Sequence, residues 1–170
     1  TGEAADSRLW DVTVALGGEA LALAGLAADD ADGRARIAAA FEDGRAAERF
    51  GRMVSALGGP SDFVERYAAH LPAAPEVLDV PPPREGFVRS VDGRALGNAV
   101  VALGGGRVRP EDGVDLAVGL EEVAGIGAVV GPEFPLARIR ARDRDAAEAA
   151  AARVRGAYVI GDAPAEPGPA

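Results

Sequence analysis

Apolar residues recur every three, four or seven positions near the start of the chain. They are Leu9, Val12, Leu16, Leu23 and Leu26. Residues with this spacing share one face of an α-helix, so the pattern predicts a helix over residues 8–28. Gly17, Gly18 and Gly25 lower the helix propensity of this segment. Small residues at such positions allow a neighbouring helix to approach closely.

Three more helices are predicted before residue 71, over residues 31–43, 45–57 and 63–70. Asp29 and Asp30 precede the first of them and supply an N-cap. The second carries one apolar stripe. Its members are Phe50, Met53, Val54 and Leu57. The first 71 residues therefore form a helical segment.

The pattern changes after residue 71, where five prolines lie within thirteen residues, 71–83. Proline lacks a backbone N–H and interrupts helices and central strands. We therefore predict an extended linker over residues 72–85, with at most a short strand at residues 77–80. This linker is the one clear domain boundary.

The second half of the chain mixes strands and helices. Strands are predicted at residues 86–91, 114–118, 128–130, 136–141 and 158–160. Helices are predicted at residues 95–103 and from Asp143 to residue 155, with turns at Asp92-Gly93 and at residues 121–122. The predicted fold class is α+β, with a small C-terminal α+β subdomain at residues 86–162 and a disordered tail at residues 163–170.

Composition limits the classes of partner. The formal net charge is −9, which disfavours nucleic acid and anionic membrane surfaces. There is no Cys and no apolar run of about 18 residues that could span a bilayer. The acidic start of the chain lacks a signal-peptide pattern, so we expect a cytoplasmic protein. The chain starts at Thr1 rather than Met, so we expect it to be part of a longer polypeptide. Aromatic residues make up only 5% of the chain, so we expect modest independent stability or dependence on a partner segment.

Two glycine-rich segments are candidate phosphate or nucleotide sites. The segment Gly104–Arg107 follows a predicted helix, whose carbonyl end has the wrong dipole for an anion. We interpret it as a structural helix exit. Gly125, Gly127 and Gly131 lack the spacing of a dinucleotide fingerprint, and Pro132 follows them where a helix is required, so close-packed turns explain them better.

The titratable candidates also have simpler interpretations. His70 is the only histidine and follows a short helix, where a structural role is favoured over general-base catalysis. Asp29, Asp30 and Asp32 begin like a calcium loop, but helix capping explains them. Four further acidic residues lack the spacing of metal ligands, and we interpret them as part of a solvent-exposed face. They are Asp112, Asp115, Glu121 and Glu122. Arg140 and Arg142 could bind an anion, although solubility at a strand edge is the favoured interpretation.

Several segments, in order, carry a resemblance to the pyrimidine-nucleoside phosphorylase family. They are Arg8-Leu-Trp-Asp-Val-Thr13, Phe50-Gly-Arg-Met-Val54, Gly59-Pro-Ser-Asp-Phe-Val64, Arg94-Ala-Leu-Gly97, Leu103-Gly-Gly-Gly-Arg107 and Pro135-Leu-Ala137. The likeness runs from Thr1 to about Ile160. It is similar to the C-terminal part of the bacterial thymidine-cleaving members.

The resemblance implies a fold and an activity. Residues 1–71 would be helices of the family's α/β domain, and residues 86–162 its small hammerhead-type subdomain. The full-length enzyme, implied to be a homodimer, would convert thymidine and inorganic phosphate to thymine and 2-deoxy-D-ribose 1-phosphate, without a cofactor. Its missing N-terminal catalytic portion would be the partner of this segment.

The resemblance assigns no catalytic, substrate-binding or metal residue to this chain. The family holds phosphate with a Lys and a Ser, and the pyrimidine with a His, an Arg and a further Ser and Lys. All 18 cationic side chains here are Arg, and the Ser and Arg positions do not fall in those motifs. We therefore expect a structural segment that is inactive alone. The alternatives are a stand-alone binding or assembly module that reuses the subdomain and, more weakly, a carboxylate- or metal-dependent hydrolase.

Overall fold

The computed structural model describes residues 7–164 and divides into two compact units. The first unit is Thr1–His70 and the second is Leu71–Ala170. Thr1, where the family resemblance begins, and residues 165–170 of the predicted tail lie outside the described residues.

The first unit contains four helices among its described residues. They are α1 (Ser7–Leu23), α2 (Asp30–Glu42), α3 (Arg45–Ala56) and α4 (Phe63–His70). Helix α1 ends five residues before the predicted end at residue 28, and the chain then turns through Gly25, where φ is +68°. Asp29 caps α2 as expected, since its carboxylate accepts a hydrogen bond from the Asp32 N–H at 2.9 Å.

Helices α1 and α2 pack through glycine. A Cβ on Gly33 would lie 2.2 Å from the Gly18 carbonyl oxygen, and one on Gly18 would lie 2.7 Å from the Arg34 backbone nitrogen. Only hydrogen fits at both positions, so the two backbones come into direct contact. Trp10 and Phe41 extend this interface, with ring centroids 5.2 Å apart.

The second unit is built from two antiparallel sheets and two helices. Its strands are β1 (Glu76–Val80), β2 (Gly86–Val91), β3 (Gly119–Glu121), β4 (Val129–Val130), β5 (Ala137–Ala141) and β6 (Tyr158–Gly161). One sheet has the order β1-β5-β3 and the other β4-β2-β6. The helices are α5 (Gly93–Ala102) and α6 (Arg144–Gly156), and α6 contacts both β1 and β5.

The core of the second unit lies between these sheets and helices. Alternate residues of β5 point inward, so Ala137, Ile139 and Ala141 are fully buried while Arg138 and Arg140 face outward. Helix α6 buries a stripe at helical spacing. The stripe consists of Ala147, Ala150, Ala151 and Val154. Small side chains on α6 let the helix lie close to the sheet.

Three segments of the second unit differ from the predictions. The Asp92-Gly93 turn prediction is wrong, because Asp92 caps α5 by accepting a hydrogen bond from the Ala95 N–H at 3.0 Å. The strand predicted at residues 114–118 is absent. Strand β3 forms instead at Gly119–Glu121, just after the predicted strand, because it pairs with β5, and its last residue overlaps the turn predicted at residues 121–122. Tertiary pairing outweighs the local signal here.

The segment interpreted as a linker, residues 72–85, contains a core strand. All five residues of β1 pair with β5, and Val80 is fully buried. The prolines flank β1 rather than interrupt it, so a ladder forms between Pro75 and Pro81. The α+β class is confirmed by the mixture of helices and antiparallel sheets.

Two further findings concern the described residues. No helix within residues 7–164 combines the length and the apolar content that crossing a bilayer requires. In the part of the predicted tail that is described, the carbonyl oxygens of Ala163 and Pro164 accept hydrogen bonds from Arg89 Nη1, at 3.3 Å and 2.9 Å.

Candidate functional site

The outer face of the β1-β5-β3 sheet carries a row of arginine–carboxylate pairs. Arg138 donates to Asp79 Oδ1 at 2.7 Å and to Glu122 Oε1 at 2.8 Å. Arg140, on the same strand, pairs with Glu121. Since β5 is the central strand of its sheet, the strand-edge interpretation of Arg140 is wrong. The guanidinium of Arg140 forms an ion pair with a carboxylate of the same sheet, so an anion would have to compete with Glu121 for it.

Arg142 follows β5 and ties down the loop between α5 and β3. Its Nε and Nη2 atoms donate to the two carboxylate oxygens of Asp115, at 2.5 Å and 2.6 Å. The Ala117 N–H also donates to Asp115, at 3.0 Å. The guanidinium and, secondly, this N–H lower the pKa of Asp115 from its ordinary 3.8 to about 2. Asp115 is therefore ionised at neutral pH, and its hydrogen bonds to Arg142 and to the Ala117 N–H stabilise the loop.

The Gly104–Arg107 segment contacts helix α5 and the loop that follows it. Gly104 leaves α5 with φ of +93°, and its carbonyl accepts a hydrogen bond from the Asp115 N–H at 2.9 Å. A Cβ on Gly105 would lie 2.9 Å from Val100 Cγ1. Close packing against α5 and the following loop accounts for this glycine.

A second internal carboxylate organises the same loop. Asp112 accepts hydrogen bonds from the N–H groups of Val108 and Arg109, at 3.1 Å and 2.8 Å. These two N–H groups directly follow the Gly104–Arg107 segment, and the Asp112 carboxylate accepts hydrogen bonds from both of them.

A shallow cleft opens beside the β4-β2-β6 sheet, with a volume of about 620 Å³. Its apolar lining includes Phe87, Val129 and Phe134, and Glu85 and Glu133 add negative charge. The sequence analysis did not identify it. One sequence feature could have indicated the cleft. Phe134 is an aromatic residue in a turn flanked by prolines, where side chains are expected to be exposed.

His70 belongs to the end of α4. Its Nε2 atom lies 2.8 Å from Asp62 Oδ1, and its ring stacks on Phe63 with centroids 6.2 Å apart. Arg66 also reaches Asp62, at 3.3 Å. The histidine therefore braces the short helix that contains it, without a nucleophile as its hydrogen-bond partner.

The remaining candidates also take part in local structure. Asp30 and Asp32 form helix pairs with Arg34 and Arg36, beside the capping Asp29. Gly131 exchanges backbone hydrogen bonds with Phe134 in a tight turn, and Gly127 donates to the Val88 carbonyl at 2.8 Å. Across residues 7–164, no three His, Cys, Asp or Glu side chains come together as metal ligands would.

Comparison with known proteins places these observations in a family context. Residues 87–161 match the family described as "Pyrimidine nucleoside phosphorylase C-terminal domain". The chain is 50% identical over 162 residues, 95% of its length, to a protein of Burkholderia orbicola named "Thymidine phosphorylase". It is also 50% identical over 163 residues, 96% of its length, to a protein of that name from Burkholderia lata.

The match covers only part of these relatives. The chain spans 37% of the length of the Burkholderia orbicola protein and 37% of the Burkholderia lata protein. The family that residues 87–161 match is described as a C-terminal domain.

Proposed function

Since residues 87–161 belong to the pyrimidine nucleoside phosphorylase C-terminal domain family, we propose that this chain is the structural C-terminal part of a thymidine phosphorylase. The whole enzyme is a pentosyltransferase of nucleoside salvage, a cytoplasmic homodimer. A phosphate oxygen bonds to C1′ of the deoxyribose while the bond from C1′ to the base nitrogen breaks. The base leaves with the electron pair and takes up a proton, giving thymine and 2-deoxy-α-D-ribose 1-phosphate.

The sequence similarity is the observation that carries this proposal. Identity of 50% extends over 162 residues, through both units rather than the C-terminal domain alone. A stand-alone module that had reused only the C-terminal domain would not require likeness in the first unit.

The electrostatics of the described residues support a structural role for this part. Phosphorolysis requires fixed cations near the phosphate and near the departing anionic base. The chain has no Lys, and the arginines of the β5 face are paired with Asp79, Glu121 and Glu122. We place the catalytic cations in the rest of the enzyme, which this segment braces.

A chimera tests the proposal. The segment of the Burkholderia orbicola protein that aligns with this chain is replaced by this chain, and thymine release from thymidine and phosphate is measured. We expect the chimera to retain activity within about tenfold of the parent, because the chemistry stays in the unchanged portion. The parent with its aligned segment deleted is the control and should be inactive.

A folded chimera without thymine release contradicts the proposal. Folding is checked separately, by a cooperative thermal transition and by molecular mass in solution. Uridine is run beside thymidine, so that activity on either pyrimidine nucleoside is detected.

A further inference from the structure

Helix α1 has two apolar faces. One face carries Trp10 and Gly18 and packs against α2. With about 3.6 residues per turn, Val12, Leu16 and Leu23 lie within roughly 40° of arc on the other side of the helix. A helix that is apolar on opposite sides is characteristic of a position between two layers of protein.

The second apolar face is exposed in the structure. The exposed fractions are 49% for Val12, 64% for Leu16 and 82% for Leu23. We call these three residues the α1 stripe. Isolated apolar residues are common on protein surfaces, but three aligned along one helix form a continuous patch.

The first unit also lacks a core of its own among its described residues. Every fully buried apolar side chain in residues 7–164 belongs to the second unit, from Ala74 onward. Between residues 7 and 70, the only buried residues are Gly18 and Gly33. Four helices without a buried large side chain leave most of their apolar surface in water, which is unfavourable at about 25 cal/mol per Å².

We propose that the α1 stripe is the docking surface for the upstream part of the same polypeptide, the part that the relatives carry before the matched segment. This inference rests on the proposed function. The relatives contain nearly two thirds of their length outside the match, since the chain spans 37% of them. Along the sequence, α1 is the first helix among the described residues, so an upstream part would join the chain on the N-terminal side of α1.

Thiol labelling tests the docking surface without relying on activity. The chain has no Cys, so Leu16→Cys introduces a single reporter thiol. Its labelling rate is measured in the 170-residue chain and in the chimera described above, with mass spectrometry of the α1 peptide to separate it from thiols of the relative. We expect labelling to slow at least tenfold in the chimera, because a covered site reacts only after local opening.

Asp11→Cys is the matched control. Asp11 is exposed on the same helix, about 140° from Leu16. Its labelling should change by less than about threefold between the two proteins. Equal slowing at both sites, or no slowing at Leu16, overturns the assignment of this face.

The mass of the 170-residue chain in solution provides a second, independent measurement. We expect a monomer in which the Leu16→Cys thiol labels rapidly. A dimer that protects this thiol would show that a second copy covers the stripe, which overturns the proposal. Slow Leu16 labelling in an inactive chimera would contradict the proposed function and leave the docking surface standing, so the two failures are distinguishable.

Discussion

At the level of single residues, polar side chains in the second unit form hydrogen bonds between segments that are far apart in the sequence. Tyr158 is 8% exposed, and its hydroxyl lies 3.1 Å from the carbonyl oxygens of both Ala124 and Leu136. Arg142 similarly joins the start of α6 to Asp115, 27 residues away. Such contacts fix loops that have little secondary structure of their own.

Replacing Tyr158 with Phe should lower the free energy of unfolding by about 1–2 kcal/mol, because a buried hydrogen bond to Leu136 and a partly buried one to Ala124 are lost. Urea denaturation of the second unit measures the change. Ser90→Ala is the control, since it removes an exposed hydroxyl group from β2 of the same unit, and it should change stability by less than about 0.5 kcal/mol. Equal effects of the two substitutions would contradict a stabilising role for the hydrogen bonds of the Tyr158 hydroxyl.

Tyr158 also predicts a loss of stability at alkaline pH. Burial raises the pKa of its phenol above the ordinary value of 10.0, so the folded state holds the proton more tightly than the unfolded state. The free energy of unfolding should therefore fall as pH rises above about 10. This decline should be smaller in Tyr158→Phe. An identical decline in the variant would show that other groups cause it.

The Asp115–Arg142 pair predicts the opposite pH dependence. The pKa of Asp115 is lowered to about 2, so its contribution is complete above the ordinary pKa of 3.8 and is lost as pH falls toward 2. In Asp115→Asn the decline in stability between about pH 4 and pH 2 should be shallower. Thermal unfolding across this range measures it. Glu148→Gln, which removes the exposed Arg144 pair, should keep the wild-type profile.

At the scale of elements, backbone proximity determines how α1 and α2 pack. The Gly18 and Gly33 contact leaves no space for a methyl group on either helix. In β5, successive side chains point to opposite faces of the sheet. Ile139 is therefore buried, while Arg138 and Arg140 lie on the outer face. The two units thus use different means of bringing elements together.

Gly33→Ala tests the helix contact. Alanine ordinarily stabilises a helix interior relative to glycine, but here its methyl group would clash with the Gly18 carbonyl, so we expect a net loss of about 1–3 kcal/mol. Trp10 fluorescence reports the change, because its ring lies against Phe41 at the same interface. Gly97→Ala in α5 is the control, and circular dichroism of the second unit should show no loss of stability, because its Cβ would meet nothing within 4 Å. A stabilised Gly33→Ala variant would contradict the close approach.

Elements with a local signal could be predicted from the sequence. Strand β2 has its predicted bounds, and Asp29 and Asp143 cap the helices that were expected of them. The failures depend on tertiary partners. Strand β3 forms because Gly119 and Glu121 pair with β5, and no local feature marks that pairing.

The candidate site shows the same limit. The sequence identified Arg140 and Arg142 as possible anion ligands, but their partners Glu121 and Asp115 lie 19 and 27 residues away. The pairing depends on the register of the sheet and on the path of the loop after α5. Neither follows from residue spacing, so the ion pairs became evident only in the structure.

At the scale of the whole molecule, the two units differ in how they bury apolar surface. The second unit encloses Val80, Val88, Leu136 and Ile139, all fully buried. Over its described residues the first unit encloses only the glycines of its helix crossing. The sequence-based expectation of modest independent stability or dependence on a partner segment stays a prediction.

The two units of the isolated chain should therefore unfold separately. Trp10, the only Trp, reports the first unit, and the circular dichroism of the remaining transition reports the second. We expect the Trp10 fluorescence midpoint in urea to precede the second transition, because denaturant resistance follows the apolar surface that is buried. Coincident midpoints would contradict independent units.

We propose that this chain supports a phosphorylase active site whose reacting groups it does not carry. Thymine release from thymidine and phosphate is therefore measured with the purified 170-residue chain, and the active chimera serves as the positive control for the assay. We expect no release above the uncatalysed background. Sustained turnover by the 170-residue chain alone would show that it carries the reacting groups itself.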